Sequence, residues 1–199
     1  MQLQAKKIDL LNERNGFYLH VDRIIGLFWK KEMEKQVKLG RARSIGVSNF
    51  NIEQIEKILD SAEIKPVNLQ IEIHAFLQQQ EIVEFCQRNK ITVTAYSPLG
   101  SPGINNFYSA YGKSKILPDL LGNDIVKRIA SKHSKTPAQV LLKYTVQRKI
   151  AVIPKSLNSC RIRDNINIFD FELDNQDVKD LHNLEIGPLA KVGNWESWT

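Results

Sequence analysis

Four polar clusters recur along the sequence, each at the end of a short apolar run. Ser48 and Asn49 close "RSIGVSN", Gln70 and Glu72 alternate with Leu69 and Ile71, Tyr96 and Ser97 close "ITVTAYS", and Lys155 and Ser156 follow "IAVIP". Neutral amides and hydroxyls such as Ser48, Asn49 and Gln70 donate and accept without charge, which suits a carboxamide. Tyr96 offers a flat face for stacking an aromatic ring. Lys155 and Arg161 offer two cations for a phosphate. Arg161 falls near the start of an expected helix, whose N-terminal dipole adds attraction for an anion.

These residues need elements to position them. Apolar and β-branched runs predict strands at 43–48, 67–74, 91–97 and 150–154. Helical spacing predicts helices at 51–62, 80–89, 124–134, from Thr136 onward, about 158–168 and 174–184. Asn51 with Gln54, and Thr136 with Gln139, carry the capping-box spacing, and Pro137 suits a first helical position. Strand and helix alternate four times, which means βαβ units and a parallel sheet. An open doubly wound sheet and part of an eight-stranded barrel both fit. No G-x-G-x-x-G follows any strand, which weakens the dinucleotide-binding open sheet. In a parallel barrel the C-terminal strand ends share one face, where active sites lie. Ile45, Val47, Leu69, Ile71, Val93 and Ile153 are candidates for one face of the sheet or the other.

Composition narrows the class. The chain has 199 residues, 42% of them hydrophobic and 25% charged, enough for one core. No apolar run is long enough for a transmembrane helix, and the N-terminus lacks a secretory signal. Cys86 and Cys160 are expected as free thiols in a reducing cytoplasm. Net charge is +6, and residues 1–50 hold ten Lys/Arg against five acids. The basic excess is therefore local, and no aromatic-interleaved basic stripe accompanies it, so neither nucleic acid nor membrane is the expected partner. His74 is expected to be structural, His133 and His182 to face solvent from helices, and Trp29 and Met33 to pack on the core.

Four stretches in order, "WKKEMEKQVKLGRARSIGVSNFN", "PVNLQIEIHAFLQQQEIVEFCQRNKITVTAYSPLGS", "TPAQVLLKY" and "VIPKSLNSCRIRDNINIFDFELDNQDVKDL", resemble the aldo-keto reductases. The resemblance implies an α/β fold: a partial TIM-type (β/α)8 barrel of about four to five βα units with parallel strands. It covers 29–185, leaving 1–28 and 186–199 as divergent flanks. It also implies NADP(H) bound in extended form, and hydride transfer that reduces aldehydes or ketones to alcohols. Carried over by position, Ser48, Asn49 and Gln70 hold the nicotinamide carboxamide and Tyr96 stacks on its ring. Ser97, Leu99 and Ser101 line the pyrophosphate path. Lys155, Ser156 and Arg161 grip the 2′-phosphate, and Asp164 and Asn165 face adenine. Arg163 lies outside the matched pattern and is expected to be solvated. Many members place an acid two residues past the "PLGS" serine to help clasp the cofactor; Gly103 stands there.

The family's first half supplies an Asp, a general-acid Tyr, a Lys that lowers the Tyr pKa and a His that orients the carbonyl. Residues 1–28 match neither the Asp nor the Tyr–Lys motif. "FYLHVD" resembles the strand that ends in the family's histidine, which makes His20 the candidate catalytic residue. The expectation is a reductase-type chain, truncated and impaired or inactive alone. The alternative is a non-catalytic NADP(H)-binding or subunit-pairing protein, and an exposed sheet edge predicts a homodimer.

Overall fold

The computed structural model describes residues 31–112 and 116–192. Helix α1 covers 31–38. The alternating pattern follows: β1 (Gly46–Ser48), α2 (Ile52–Ser61), β2 (Asn68–Glu72), α3 (Gln80–Arg88) and β3 (Thr92–Tyr96). Then come α4 (Ile104–Ala110), α5 (Asp124–Lys132), α6 (Pro137–Gln147), β4 (Ile150–Val152), α7 (Ser159–Ile166), α8 (Asn175–His182) and a 3-10 turn at Gly187–Ala190.

The four strands form one parallel sheet in chain order, β1-β2-β3-β4. Among the described residues the sheet does not close, and β1 and β4 are its outer strands, as in a partial barrel. Strand period sorts the side chains onto two faces. Leu69, Ile71, Val93, Ala95 and Ile150 pack with Ile55 of α2 and with Ile82, Val83, Phe85 and Cys86 of α3. Val47 and Val152 join this core at its margins. The other face is polar: Asn68 Nδ2 donates to Thr92 Oγ1 at 3.1 Å and to Thr94 Oγ1 at 2.8 Å. Of the face candidates, Ile153 stays 49% exposed, one residue beyond β4. Gly46 marks a close approach of β1 to β2, since a Cβ there would lie 2.7 Å from the Asn68 carbonyl oxygen. Both cysteines are free, and burial pushes the Cys86 thiol up to about 11.

A second core lies between helices. Val126, Ile129 and Ala130 of α5, Val140, Leu141 and Tyr144 of α6, and Leu181 of α8 close around Ala75, Phe76 and Leu77. The capping boxes at Asn51–Gln54 and Thr136–Gln139 form as the spacing predicts, and Asp174–Asp177 adds a third. Opposite dipole ends of α5 and α8 meet in a clasp. Lys132 Nζ donates to Asp174 at 2.5 Å and to Asp177 at 2.8 Å, and His133 Nε2 lies 2.6 Å from Asp177. The Lys132 hydrogen bond holds the Asp174 carboxyl down at about 2.

Two expectations are corrected. The His133 side chain is only 16% exposed, because Asp177 recruits it into the clasp rather than leaving it to solvent. Met33 is 43% exposed and is not a core residue among the described chain. Trp29 lies outside the described residues.

Candidate functional site

The strands deliver their polar ends to one rim of the sheet. Past β1, Asn49 takes a left-handed backbone at φ 60°, which Asn tolerates better than most residues. Its N–H donates to the Gln70 carbonyl at 3.0 Å, and Ser48 Oγ donates to the same oxygen at 2.9 Å. At the end of β3, the Tyr96 hydroxyl donates to Asn49 Oδ1 at 3.0 Å. A hydrogen-bonded bridge therefore runs from the end of β1 to the end of β3. Asn49 and Tyr96 line a cleft of about 540 Å³ with Phe50, Ile71, Glu72 and Lys191. Ser48 and Gln70 instead line a shallower hollow on the polar face.

The chain leaves β3 through a tight turn. Gly100 N–H donates to the Ser97 carbonyl at 2.9 Å, and Gly100 itself sits at φ 70°. Ser101 Oγ donates to Ser97 Oγ at 2.9 Å, and Leu99 packs on the helical core. The turn thus groups Ser97, Leu99 and Ser101.

At the end of β4, Ser156 Oγ accepts the Asn158 N–H at 3.1 Å, and Asn158 Oδ1 accepts the Arg161 N–H at 3.0 Å. These bonds set the start of α7 at Ser159, four residues past Lys155. The side chains of Lys155 and Arg161 are exposed, and among the described residues neither has an acid partner. Asp164 and Asn165 continue on the same helix, and Arg163 is exposed as expected.

This sheet and its rim have counterparts in known proteins. The model of the Aldo/keto reductase family matches residues 3–186. The chain belongs to that family. It is 43% identical over 165 residues to Aldo-keto reductase family 1 member A1 of Gallus gallus, covering 83% of this chain and 46% of the relative. It is 42% identical over 156 residues to the NADPH-dependent D-xylose reductase of Meyerozyma guilliermondii, covering 78% and 49%. The structure of the aldose reductase from Schistosoma japonicum superposes with a TM-score of 0.69 at 43% identity, covering 83% of this chain and 51% of that one. The chain spans about half the length of the curated relatives it matches.

In this aldo/keto reductase chain, Gly103 precedes α4, and a Cβ built there meets nothing within 4 Å. Space alone does not explain the absence of an acid. His20 lies outside the described residues. Sequence reasoning assigned no role to Lys191, which lines the cleft from the far end of the chain with no local motif to announce it. It read Glu72 only as one of several strand-end polar residues. Its 1% exposure, with His74 equally buried beside it, sets it apart.

Proposed function

We propose that this chain holds NADP(H) across the strand ends and serves the reduction of aldehydes or ketones to alcohols. The observation that carries the reading is the pair of unpartnered cations, Lys155 and Arg161, set at the start of α7 by the Ser156 and Asn158 hydrogen bonds. Two cations without an acid are a site prepared for a multiply charged anion. At the other end, the Asn49–Tyr96 bridge offers amide and aromatic surface for a nicotinamide. The residues fit the cofactor: Lys155, Ser156 and Arg161 toward a 2′-phosphate, Ser97, Leu99 and Ser101 toward the pyrophosphate, and Ser48, Asn49, Gln70 and Tyr96 toward the nicotinamide. Asp164 and Asn165 stand on α7 toward adenine. NADPH supplies the hydride when bound; a proton donor must meet the oxygen of the reduced carbonyl. We take residues 29–185 as the cofactor-holding unit.

The second reading is a non-catalytic NADP(H)-binding or subunit-pairing protein. It rests on the sequence of 1–28, which matches neither the family's Asp nor its Tyr–Lys motif. Following NADPH absorbance with a panel of aldehydes separates the two. Turnover is the expected result of the first reading. NADPH binding without turnover selects the second, and neither binding nor turnover removes both.

The setting is proposed as cytoplasmic, in keeping with two free cysteines. Among the described residues no helix is long and apolar enough to cross a membrane. The partner is proposed to be a second copy. Among the described residues β1 and β4 leave two parallel edges, and their four strands are half of the eight that close a barrel. Leu157, 89% exposed, stands with Ile153, Ile162 and Ile166 along the β4–α7 side. Pairing β4 of each copy with β1 of the other closes both edges. Sedimentation equilibrium is expected to show a dimer; a monomer at every concentration contradicts this pairing.

A further inference from the structure

Glu72 ends β2 with its carboxylate inside the protein, 1% exposed. A carboxylate in that position is costly unless its oxygens are hydrogen-bonded. Its Oε1 accepts the backbone N–H of Val192 at 2.6 Å and lies 3.2 Å from His74 Nε2. A carboxylate can only accept, so Nε2 is the protonated nitrogen of His74 in this contact. His74 Nδ1 is buried with no hydrogen-bond partner. The Gln79 side chain donates to the Glu72 carbonyl at 2.7 Å and fixes the backbone beneath the carboxylate.

The bond to Val192 joins residues 120 apart in sequence. It draws the segment after the Gly187–Ala190 turn onto the end of a sheet strand. Tyr108 of α4 donates to the Val192 carbonyl. One residue is thus held through both of its peptide groups, by side chains from two different elements. Its neighbour Lys191 lines the cleft beside Asn49 and Tyr96. The turn itself has another anchor, because Ala190 is buried in the helical core. The Glu72 contact therefore governs residues 191–192 rather than the whole segment.

We propose that Glu72 is a positioning residue. It fixes the 191–192 strap as one wall of the cleft, with His74 keeping the carboxylate turned toward the strap. The anchoring stands on geometry alone; its effect on activity rests on the cleft being the carbonyl-reduction site.

Trypsin cleaves after Lys191, at the bond whose nitrogen Glu72 holds. The intact chain and its Glu72→Ala, Glu72→Gln and Tyr108→Phe variants are digested under native conditions. Mass spectrometry follows release of the 192–199 peptide against cleavage at the other lysines and arginines. Freeing a hydrogen-bonded terminus raises its opening, so Glu72→Ala is expected to speed Lys191 cleavage about tenfold with the other sites unchanged. Glu72→Gln keeps an acceptor oxygen and is expected to stay within about threefold of the parent. Unchanged Lys191 cleavage in a folded Glu72→Ala protein overturns the proposal. Should Glu72→Ala accelerate every site by unfolding, Tyr108→Phe decides: selective acceleration at Lys191 supports the strap, and none overturns it. In a chain that turns over, Glu72→Ala is expected to move KM for the aldehyde and leave Kd for NADPH in place. Loss of both together points to the fold and overturns the positioning role. The digestion needs no cofactor, so it stands even where the carbonyl-reduction reading fails.

Discussion

Lys155→Ala is expected to weaken NADPH binding about ten- to a hundredfold, and NADH binding by about twofold or less, because a charge-assisted contact exists only with the extra phosphate. Lys155 is exposed and has no acid partner among the described residues, so its removal leaves no buried group unsatisfied and costs the fold little. Arg161→Ala is expected to act in the same direction. Arg161→Lys recovers part of the loss, since it keeps the charge but not the planar fork. The N–H of Arg161 is capped by Asn158 through the backbone, so neither substitution removes that cap. Both cations are solvent-facing, and high salt is expected to shrink the difference between parent and variant. Titration of nucleotide fluorescence reads these constants directly. A Lys155→Ala variant that loses NADPH and NADH equally contradicts the phosphate role.

Gln78→Leu is expected to destabilise the chain by about 2–5 kcal/mol, since a buried polar group left unpaired costs about 1–3 kcal/mol and the Ala75 carbonyl and Tyr144 hydroxyl both lose their partner. Gln78 is 1% exposed. Its Nε2 donates to the carbonyls of Ala75 at 2.9 Å, Leu181 at 3.3 Å and His182 at 2.7 Å, and its Oε1 accepts the Tyr144 hydroxyl at 2.7 Å. Two of these carbonyls are in the last turn of α8, where the Leu184 and Glu185 N–H groups also reach them, at 3.2 and 3.3 Å. Burial raises the Tyr144 pKa, so its hydroxyl stays a donor that needs an acceptor. Leucine satisfies none of these groups. A chain of this size loses about 2–4 °C of Tm per kcal/mol, so the fall is about 10 °C. Adding Tyr144→Phe to Gln78→Leu is expected to return about 1–2 kcal/mol, because removing both partners costs less than orphaning one. Urea and thermal unfolding measure both. A Gln78→Leu protein as stable as the parent contradicts the network's role.

Local signals made most of the fold legible. Apolar and β-branched runs placed all four strands, and capping spacing placed the starts of α2 and α6. The expected elements shorten at their ends: 43–48 became Gly46–Ser48, 67–74 became Asn68–Glu72, 150–154 became Ile150–Val152, and the helix at about 158–168 became Ser159–Ile166. Helix α4 was not foreseen, because it begins after Ser101-Pro102-Gly103 with no side-chain cap. Tertiary contacts sustain it instead: Tyr108 is buried, and Asn105 bonds the N–H and carbonyl of Leu117, both at 2.8 Å. Long-range partners were equally invisible. His133 looked like an exposed helix end because Asp177, which draws it inward, lies 44 residues on. Glu72 looked like one more strand-end acid because Val192 lies 120 residues away. The rim residues were readable because each belongs to the end of its own strand; the wall that Lys191 adds was not.

The strand ends are proposed to hold NADP(H) and to prefer it to NAD(H). Parallel titration of the intact chain with NADPH and NADH tests it most directly. Saturable NADPH binding is predicted, at least about tenfold tighter than NADH and weakening as salt rises. Equal affinity for the two nucleotides, or no saturable binding of NADPH, contradicts it.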